Sequence, residues 1–581
     1  SSWEDYNKDL ISQGGGIFSR RAKSIDLSPE IQKMLGTRKQ SLAPNDLIQM
    51  ILKMDVDLLW NGGIGTYVKS SKETSADVGD RANDSLRING SELNAKVIGE
   101  GGNLGMTQLG RIEYGLKGGR VNTDFVDNVG GVDCSDNEVN IKILLNGLVA
   151  NGDLTYKQRN VLLEKMEDEV GEIVLDDAYC QSESISVTEQ QGTSLVKEQI
   201  RFIHHLEKQG QLDRGLEFIP DDETLIEREK MGQALTRPEL SVLVAYGKMV
   251  LKEQLACDDI ANNPYHAELL TTYFPTELQR NYKAEMDNHP LRSEIIATCL
   301  ANQMVNEMGC NFITRLQEET GYSVTDIANA YSATRAIFEF GDLFKQIRSL
   351  DNISTAEAQY EALFAMRRTI RRVTRWLLRN GSQNMTIQQV IEKYKPAVND
   401  IKVNLDSYLV KDEVVEHIEQ ANHYLEMGVP CELGNVLARL SSLYSAMDIS
   451  AVAVDMEQPV STTARLYYVL GDKLSLHWFL KQINNQGVDN HWQALARASF
   501  REDLDWQQRQ LTQLVLTEYK DAESVESAIE EWCEKNAVSI GRWDNILNEF
   551  KVGSVHEFAK FSVALRELTL LNLSCTSNVT K

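Results

Sequence analysis

Two glycine-rich stretches directly follow apolar runs and could bring backbone groups close to a ligand. Asn61-Gly62-Gly63-Ile64 follows the apolar residues 56–60, and Gly99-Glu100-Gly101-Gly102-Asn103 follows Val97-Ile98. At the carboxyl end of a strand, such a cluster can present N–H groups and a side-chain amide to the ribose or phosphate of a nucleotide. A tight strand exit without a ligand explains the first stretch equally well. The G-x-G-x-x-G fingerprint is absent, because Leu104 stands where its third glycine would be.

The side chain of Asn103 has the chemistry to bind a carboxamide. An asparagine amide offers both a donor and an acceptor, which matches a group such as the carboxamide of nicotinamide. An asparagine that only stabilises its own turn is the simpler interpretation of this residue by itself.

Ser135 begins a pattern that indicates a helix start. Ser135-Asp136-Asn137-Glu138 has the form of a capping box, in which the serine hydroxyl accepts a hydrogen bond from the helix backbone. The same hydroxyl can still donate its proton to an anion, and a helix N-terminus favours a carboxylate. Asp133 and Asp136 oppose an anion there unless basic residues from elsewhere offset them.

The elements that would position these residues alternate between strand and helix. Residues 56–60, 97–98 and 121–125 are predicted strands, and a helix is predicted from Thr107 with Leu109, Ile112 and Leu116 on one side. Asn128-Val129-Gly130-Gly131 is predicted to turn the chain again before the next helix. This alternation favours a parallel sheet, which binds ligands beyond the carboxyl ends of its strands, where the glycine turns would lie.

The pattern changes after about residue 145. Glycines become rare, and helical periodicity covers the remaining residues without a fixed repeat. We therefore predict an α/β fold followed by an all-α region. The predicted domains are 1–145, part of an incomplete Rossmann-like sheet domain, and 146–581, a helical region of one or two subdomains.

Composition excludes several classes of protein. The chain has 581 residues and a formal net charge of −25, which argues against a nucleic-acid binder or an anionic-membrane binder. Its eight cysteines form no C-x-x-C pair and are predicted to be reduced, buried thiols of a cytoplasmic protein. No apolar run approaches the roughly 20 residues of a membrane helix. The chain opens without Met or a signal peptide, and we expect it to be the middle of a longer polypeptide.

Two further groups of charged or metal-binding residues have simple structural interpretations. His204 and His205 are adjacent on a predicted helix and point to different faces, so structural histidines are favoured over a metal site, and we predict no metal. The basic run 367–379 is amphipathic and could dock an acidic partner, a nucleotide or a membrane surface. Arginines that pair with the chain's abundant carboxylates are the favoured interpretation.

Several stretches together resemble the large NAD-dependent glutamate dehydrogenases. They are VDLLWNGGIGTYVKSS, GDRANDSLRI, AKVIGEGGNLGMTQLGRIEYGL, DNVGGVDCSDNEVNIKILL and ALTRPELSVLVAYGK. The resemblance is dense over residues 1 to about 250 and looks continuous with that family's C-terminal portion to the end. It implies oxidative deamination of L-glutamate to 2-oxoglutarate and ammonium with NAD as the cofactor.

The resemblance also implies roles for individual residues. Asn103 would contact the nicotinamide half of the cofactor, Asn128 would lie between nicotinamide and substrate, and Ser135 would bind the distal carboxylate of glutamate. Gly62, Gly63 and Ile64 would lie along the ribose. The complete expected cofactor set is Asn61, Gly62, Gly63, Ile64, Gly101, Asn103 and Asn128, and the expected substrate set is Asn128 and Ser135.

The sequence departs from the shorter amino-acid dehydrogenases, which share this skeleton, at three places. Gly102 stands where they have Ala, Asn103-Leu104-Gly105 replaces N-G-P, and Asp127 stands where they are apolar. In the family the catalytic lysines and aspartate lie upstream of the matching region. We therefore assign no catalytic residue within 1–581 and expect negligible activity from this chain alone.

Alternatives remain open at this point. One is a non-catalytic helical scaffold or binding module with a degenerate dinucleotide fold. Another is a dehydrogenase for a branched or aromatic amino acid, against which Ser135 argues because a hydroxyl suits a carboxylate better than a hydrocarbon. Arg20 and Arg21 leave NADP open as the cofactor. The helical region is expected to mediate assembly, as a homo-oligomer, or regulation.

Overall fold

The computed structural model describes residues 3–258, 260–381, 384–488, 490–519, 522–552 and 557–579. They divide into two compact units, residues 1–314 and 315–581. The strands lie in the first unit, and helices make up the second. The expected order of an α/β region followed by a helical region is confirmed. The predicted domain boundary at residue 145 stays a prediction, since the first unit also contains the helices up to Thr314.

The strands form three small sheets. They are β1 (Ile25–Asp26), β2 (Ser41–Leu42), β3 (Leu58–Asn61), β4 (Val68–Lys69), β5 (Ile88–Asn89), β6 (Val97–Glu100) and β7 (Arg120–Val121). β1 and β2 are antiparallel, β4 and β5 are parallel, and the third sheet has the parallel order β3-β6-β7. The register joins Asn61 to Glu100, so both glycine stretches leave the same edge of the sheet. The predicted parallel order is confirmed.

The first unit contains the following helices. They are α1 (Pro29–Met34), α2 (Pro44–Leu52), α3 (Ser75–Val78), α4 (Gln108–Leu116), α5 (Asp124–Asp127), α6 (Val129–Asn151), α7 (Tyr156–Lys165), α8 (Glu167–Gln191), α9 (Val196–Lys208), α10 (Arg214–Glu217), α11 (Asp222–Lys230), α12 (Arg237–Cys257), α13 (Ala267–Tyr273), α14 (Thr276–Asn281), α15 (Lys283–Asp287) and α16 (Arg292–Met308). Short 3₁₀ helices lie at Trp3–Asp5, Lys8–Leu10, Arg81–Asn83, Gly90–Glu92, Gly192–Leu195 and Ile260–Asn262. The boundary between the units falls within α17 (Phe312–Thr320).

Helix α4 starts as expected but buries a different face. The hydroxyl of Thr107 accepts the Gly110 N–H at 3.0 Å and caps the helix. Ile112 and Tyr114 are buried against the sheet together with Arg111, whereas Leu116 is exposed and Leu109 is half-buried. The predicted apolar side is therefore wrong in part, because a buried ion pair of Arg111 occupies the inner face.

The segment after β7 is helical where we predicted strand and turn. The predicted strand 121–125 ends at Val121, and Phe125 lies in α5. Gly130 and Gly131 lie in the first turn of α6 rather than in a loop, since Asn128 links α5 directly to α6. Ser135 is consequently inside α6 and exposed, so the predicted capping box there is wrong. A capping box needs an extended residue before the helix, and the chain already runs helically into Ser135.

The described residues of the second unit form helices around a core of their own. They are α18 (Val324–Phe338), α19 (Phe340–Arg348), α20 (Ala356–Arg379), α21 (Ile387–Tyr408), α22 (Lys411–Glu426), α23 (Cys431–Leu443), α24 (Ala446–Asp455), α25 (Val460–Lys473), α26 (Leu476–Asn484), α27 (His491–Glu518), α28 (Val525–Lys535), α29 (Ala537–Val552) and α30 (Phe558–Val579). Trp532, Trp543 and Phe479 are fully buried in one of its apolar clusters.

The structure tests three simpler expectations. The arginines of the run 367–379 do pair with carboxylates, as Arg375 does with Glu319 at 2.7 Å. His204 forms an ion pair with Asp222 at 2.7 Å. The prediction of buried thiols is wrong for Cys134, Cys257 and Cys431, which are exposed, and Cys575 lies among the side chains that are not described. Among the described residues, no helix is long and apolar enough to cross a membrane.

Candidate functional site

The two glycine turns at the carboxyl edge of the sheet pack directly against each other. The Gly101 N–H donates to the Asn61 carbonyl at 2.8 Å. A Cβ atom added at Gly102 would lie 2.8 Å from the Gly62 carbonyl oxygen and 3.0 Å from the Gly63 Cα. These contacts are with backbone, which cannot swing away as a flexible side chain can. A glycine at 102 is therefore needed for the turns to approach this closely.

The first turn has open space on its other side. A Cβ atom at Gly62 or Gly63 would meet nothing within 4 Å. Asn61, at the base of the turn, is only 3% exposed, and its Nδ2 has no hydrogen-bond partner among the described residues. A buried donor without a partner beside an open glycine turn fits a ligand that brings an acceptor, such as a ribose hydroxyl.

Gly101 contacts a tryptophan rather than open space. A Cβ atom at Gly101 or Gly99 would lie 2.7 Å from the indole of Trp60. Trp60 is itself 61% exposed, on a sheet face that also exposes Leu58 and Val97. The absence of a side chain at Gly101 thus lets an exposed aromatic ring lie flat along the end of β6.

The structure brings Asn103 and Asn128 together. The Nδ2 of Asn128 donates to the Asn103 Oδ1 and, at 3.2 Å, to the Gly102 carbonyl. Leu104, the next residue, has a φ of 60° and donates its N–H to Asp124 Oδ2 at 2.8 Å. A left-handed conformation is costly for leucine, and such strain persists only where the surroundings hold it, here through Asp124.

Ser135 lies further along α6 than the other expected site residues. It is seven residues beyond Asn128, which places it on the same helix face about 10 Å away at 1.5 Å per residue. Burial, together with Asp177 and Asp136, raises the pKa of the neighbouring Asp133 to about 6. Lys248 from α12 opposes this shift of the Asp133 pKa.

A buried ion network that the sequence did not reveal holds the second turn. The Arg111 guanidinium binds Glu100 through two hydrogen bonds, Nη2 to Oε2 at 2.6 Å and Nε to Oε1 at 3.2 Å. It also lies 3.1 Å from Asp124 Oδ2. Arg111 and Glu100 are at most 2% exposed, and burial raises the pKa of Glu100 while Arg111 lowers it. One arginine thus joins the end of β6, the residue after Asn103 and the start of α5.

Asp127 links the end of β6 to the start of α12 through Asn122. Its Oδ2 accepts the Glu100 N–H at 3.0 Å, and its Oδ1 accepts the Asn122 amide at 2.9 Å. Arg237 at the start of α12 donates to Asn122 Oδ1 at 3.0 Å. Thr236 and Glu239 form a capping box at the start of α12, and nothing in the sequence indicated that Arg237 supports the site. Asp127, apolar in the shorter enzymes, is a hydrogen-bonded anchor in this chain.

Glu113 on α4 fastens the loops behind the sheet. Its Oε2 accepts the Ser70 hydroxyl and the Ser71 N–H, both at 2.7 Å, and its Oε1 accepts the Ser91 N–H at 2.8 Å. Burial opposes the charged form, but these hydrogen bonds outweigh it and lower the pKa of Glu113 to about 2.

Glu113→Gln is expected to lower the stability of the first unit at pH 7 by about 1 kcal/mol, after allowance for its solvent exposure. Because the folded pKa lies below the ordinary value of 4.5, the carboxylate stabilises fully above that value. This contribution is lost as the pH falls through the folded pKa of about 2. Thermal unfolding at several pH values should therefore show the variant and the wild type converging in acid. Glu172→Gln, at an exposed glutamate of α8, is the matched control for the loss of one carboxylate.

The described residues contain no group of three or more His, Cys, Asp or Glu side chains arranged to hold a metal ion. The site assembled here consists of backbone turns, amides and a hydroxyl. Such groups bind and orient a ligand, and we identify no general base among them.

Comparison with known proteins gives a consistent result over the whole chain. Residues 1–188 match the family described as bacterial NAD-glutamate dehydrogenase, catalytic domain, and residues 232–570 match glutamate dehydrogenase, C-terminal. Proteins named NAD-specific glutamate dehydrogenase are 45% identical over 570 residues in Pseudomonas aeruginosa and 44% over 568 in Halomonas elongata. One from Mycobacterium tuberculosis is 37% identical over 574 residues. Each alignment covers 98% of this chain and 35% of the relative, so the chain spans about a third of their length.

Proposed function

The chain belongs to the glutamate dehydrogenase family of these bacterial relatives, and on that premise we propose that it forms part of the NAD and glutamate site of an enzyme that oxidatively deaminates L-glutamate. The observation that carries the proposal is the contact between the two glycine turns at the carboxyl edge of a parallel sheet. In α/β proteins this edge is where nucleotides bind. The names of the relatives supply NAD and glutamate as the ligands.

The cofactor lies along the two turns of a Rossmann-like sheet. Gly62, Gly63 and Ile64 follow its ribose, where the first turn leaves open space, and Asn61 provides an unpartnered amide donor at the base. Asn103 binds the nicotinamide half, with its side chain oriented by the hydrogen bond from Asn128. Gly101 allows the end of β6 to pass close to Trp60. Bound there, NAD would supply the hydride acceptor for oxidation of the glutamate α-carbon, and water would then convert the imine into 2-oxoglutarate and ammonium.

The substrate lies between Asn128 and Ser135, along one face of α6. The separation of about 10 Å between these two residues leaves room for a five-carbon dicarboxylate that reaches from the nicotinamide side to the Ser135 hydroxyl. The raised pKa of Asp133, about 6, reduces the charge of that neighbouring acid in mildly acidic solution. The catalytic base is not assigned to any residue of 1–581, and the low activity expected of the chain by itself stays a prediction.

The experiment that tests the reaction measures NADH absorbance with the full-length protein and a panel of amino acids. Activity confined to glutamate supports the proposal. Activity with a branched or aromatic amino acid instead favours the alternative substrate. If the protein neither turns over any amino acid nor binds NAD, the proposal is wrong and the scaffold alternative is favoured. We also propose that the protein is a cytoplasmic homo-oligomer assembled through the helical unit. Deletion of that unit should lower the number of subunits per particle, as measured by light scattering.

Ser135→Ala is expected to raise the KM for glutamate by about tenfold and leave the KM for NAD unchanged, because it removes one hydrogen bond to a carboxylate. Initial rates at saturating NAD measure the effect. Asn146→Ala is a matched control, since Asn146 is exposed on α6 and lies three turns further along the same face. Equal KM values for the two variants would remove Ser135 from the substrate site.

A further inference from the structure

The second unit contains a cavity of about 240 Å³ that the proposed dehydrogenase site does not use. It is lined by α20, by α27 and by Tyr444 and Asp448 near the start of α24. Its volume lies below the range of about 300–1,000 Å³ typical of drug-sized ligand sites, so a whole dinucleotide does not fit. It is large enough for a molecule of a few carbon atoms.

Helical spacing explains why so many charges line this cavity. Arg372, Arg375 and Arg379 follow one another at three- and four-residue intervals on α20, which puts them on one face. Arg501 and Arg509 lie on the facing side of α27, two turns apart. Burial of five arginines in one place would be costly if acids did not accompany them.

Four of the five arginines have an acidic partner. Arg372 pairs with Asp505 at 3.1 Å, and Arg509 pairs with Asp448 at 3.2 Å. Arg375 contacts Glu319 at 2.7 Å and Glu502 at 2.5 Å. Arg379 also contacts Glu502. The buried acids that line the cavity are thus already engaged by these four arginines.

Arg501 is the exception. Its one hydrogen bond among the described residues goes to the neutral Asn484 Oδ1 at 3.3 Å, and its buried Nε has no partner there. Burial and the neighbouring Arg372, Arg375 and Arg497 lower the pKa of Arg501 to about 10. Asp505 attracts Arg501, but it is already paired with Arg372, so a half-buried cation that three arginines repel is a group that an anion would stabilise.

Asp448 is a buried acid of the cavity lining whose charge is offset by an arginine. Asp448 is 1% exposed, and its Oδ1 accepts the Trp376 indole N–H at 2.8 Å, while its Oδ2 has no partner among the described residues. Burial raises the pKa of Asp448 and Arg509 lowers it, and the ion pair with Arg509 offsets the charge of this carboxylate. Trp376 and Trp506 supply apolar wall on either side of Arg509.

We propose that this cavity is a second ligand site that binds a small organic anion, with a carboxylate or phosphate group on Arg501 and the remainder of the molecule against Trp376 and Trp506. The residues that line this site all belong to the second unit and include none of the glycine turns. The site gives the helical unit a binding function of its own, which does not depend on the dehydrogenase reaction.

Isothermal titration calorimetry of the full chain with succinate, with inorganic phosphate and with neutral succinamide tests the proposal. We expect saturable binding of at least one anion and none of succinamide. If only succinate binds, the ligand carries a carboxylate, and if only phosphate binds, it carries a phosphate group. If neither anion binds, the proposal is overturned. Arg501→Gln should weaken the binding by at least about tenfold, which is typical of a lost charge-assisted hydrogen bond.

Thermal unfolding provides a second test, which compares the melting temperatures of the variant and the wild type with and without anion. Without anion, Arg501→Gln should melt at the same or a higher temperature than the wild type, because a repelled cation is removed. With the bound anion, the wild type should gain stability and the variant should not. Arg497→Gln is the matched control, since Arg497 lies one turn earlier on α27 and does not line the cavity. Equal anion binding by Arg501→Gln and wild type would overturn the assignment.

Discussion

Replacement of Arg111 by methionine is expected to destabilise the first unit by about 3–5 kcal/mol, the usual cost of removing one partner from a buried ion pair. Methionine fills much of the space of the arginine stem, so the loss comes mainly from the charge. Glu100 is 0% exposed and would be left as an uncompensated carboxylate at the end of β6. Its backbone N–H would remain bound to Asp127, another acid. The turn that carries Asn103 would then lose its main anchor.

Hydrogen–deuterium exchange of peptides from β6 and α4 is the appropriate measurement, because the many helices elsewhere would dominate a circular-dichroism signal. Faster exchange there in Arg111→Met is the expected result. Arg120→Met, at an exposed arginine on β7, is the matched control. The double variant Arg111→Met with Glu100→Gln should recover part of the loss, since the unpaired charge of Glu100 is then removed while that of Asp124 remains. If Arg111→Met behaved like Arg120→Met, the network would have no role in stability.

The parallel strands could be predicted because their signals are local. Short apolar runs are followed by glycines at residues 62 and 101, and the intervals between the runs suit helical crossovers. These two signals predicted both the parallel order of the strands and the edge of the sheet at which a ligand would bind. The start of α6 could not be predicted in the same way. Gly130-Gly131 looks like a turn in isolation. In the structure, Asn128 joins α5 directly to α6, and both glycines lie in the first turn of α6.

The buried charges show a different limit of sequence reasoning. Arg111 and Glu100 are eleven residues apart, on a helix and a strand, and a charged residue is ordinarily assigned to a solvated face. Only the packing of α4 on the sheet turns that face inward. For the basic run 367–379, pairing with carboxylates was predicted and confirmed. Its partners Glu319, Glu502 and Asp505 lie more than 50 residues away in sequence, so their identity depended on the fold.

The contact between the glycine turns leads to the sharpest test of the proposed cofactor site. Gly102→Ala is expected to raise the KM for NAD by about tenfold to a hundredfold, because misplacement of binding groups by a fraction of an ångström to 1 Å is costly. The new Cβ would meet the Gly62 carbonyl oxygen at 2.8 Å, so the two turns must separate. The separation moves Gly62, Gly63 and Asn103 relative to one another while leaving Ser135 in place. The KM for glutamate should therefore change much less.

Gly131→Ala is the control that distinguishes this effect from a general response to added bulk. A Cβ atom at Gly131 meets nothing within 4 Å, and in a helix alanine is favoured over glycine by roughly 0.5–1 kcal/mol. That variant should keep its NAD kinetics and gain slightly in stability. If Gly102→Ala bound NAD as the wild type does, the close approach of the turns would be incidental and the cofactor would have to lie elsewhere.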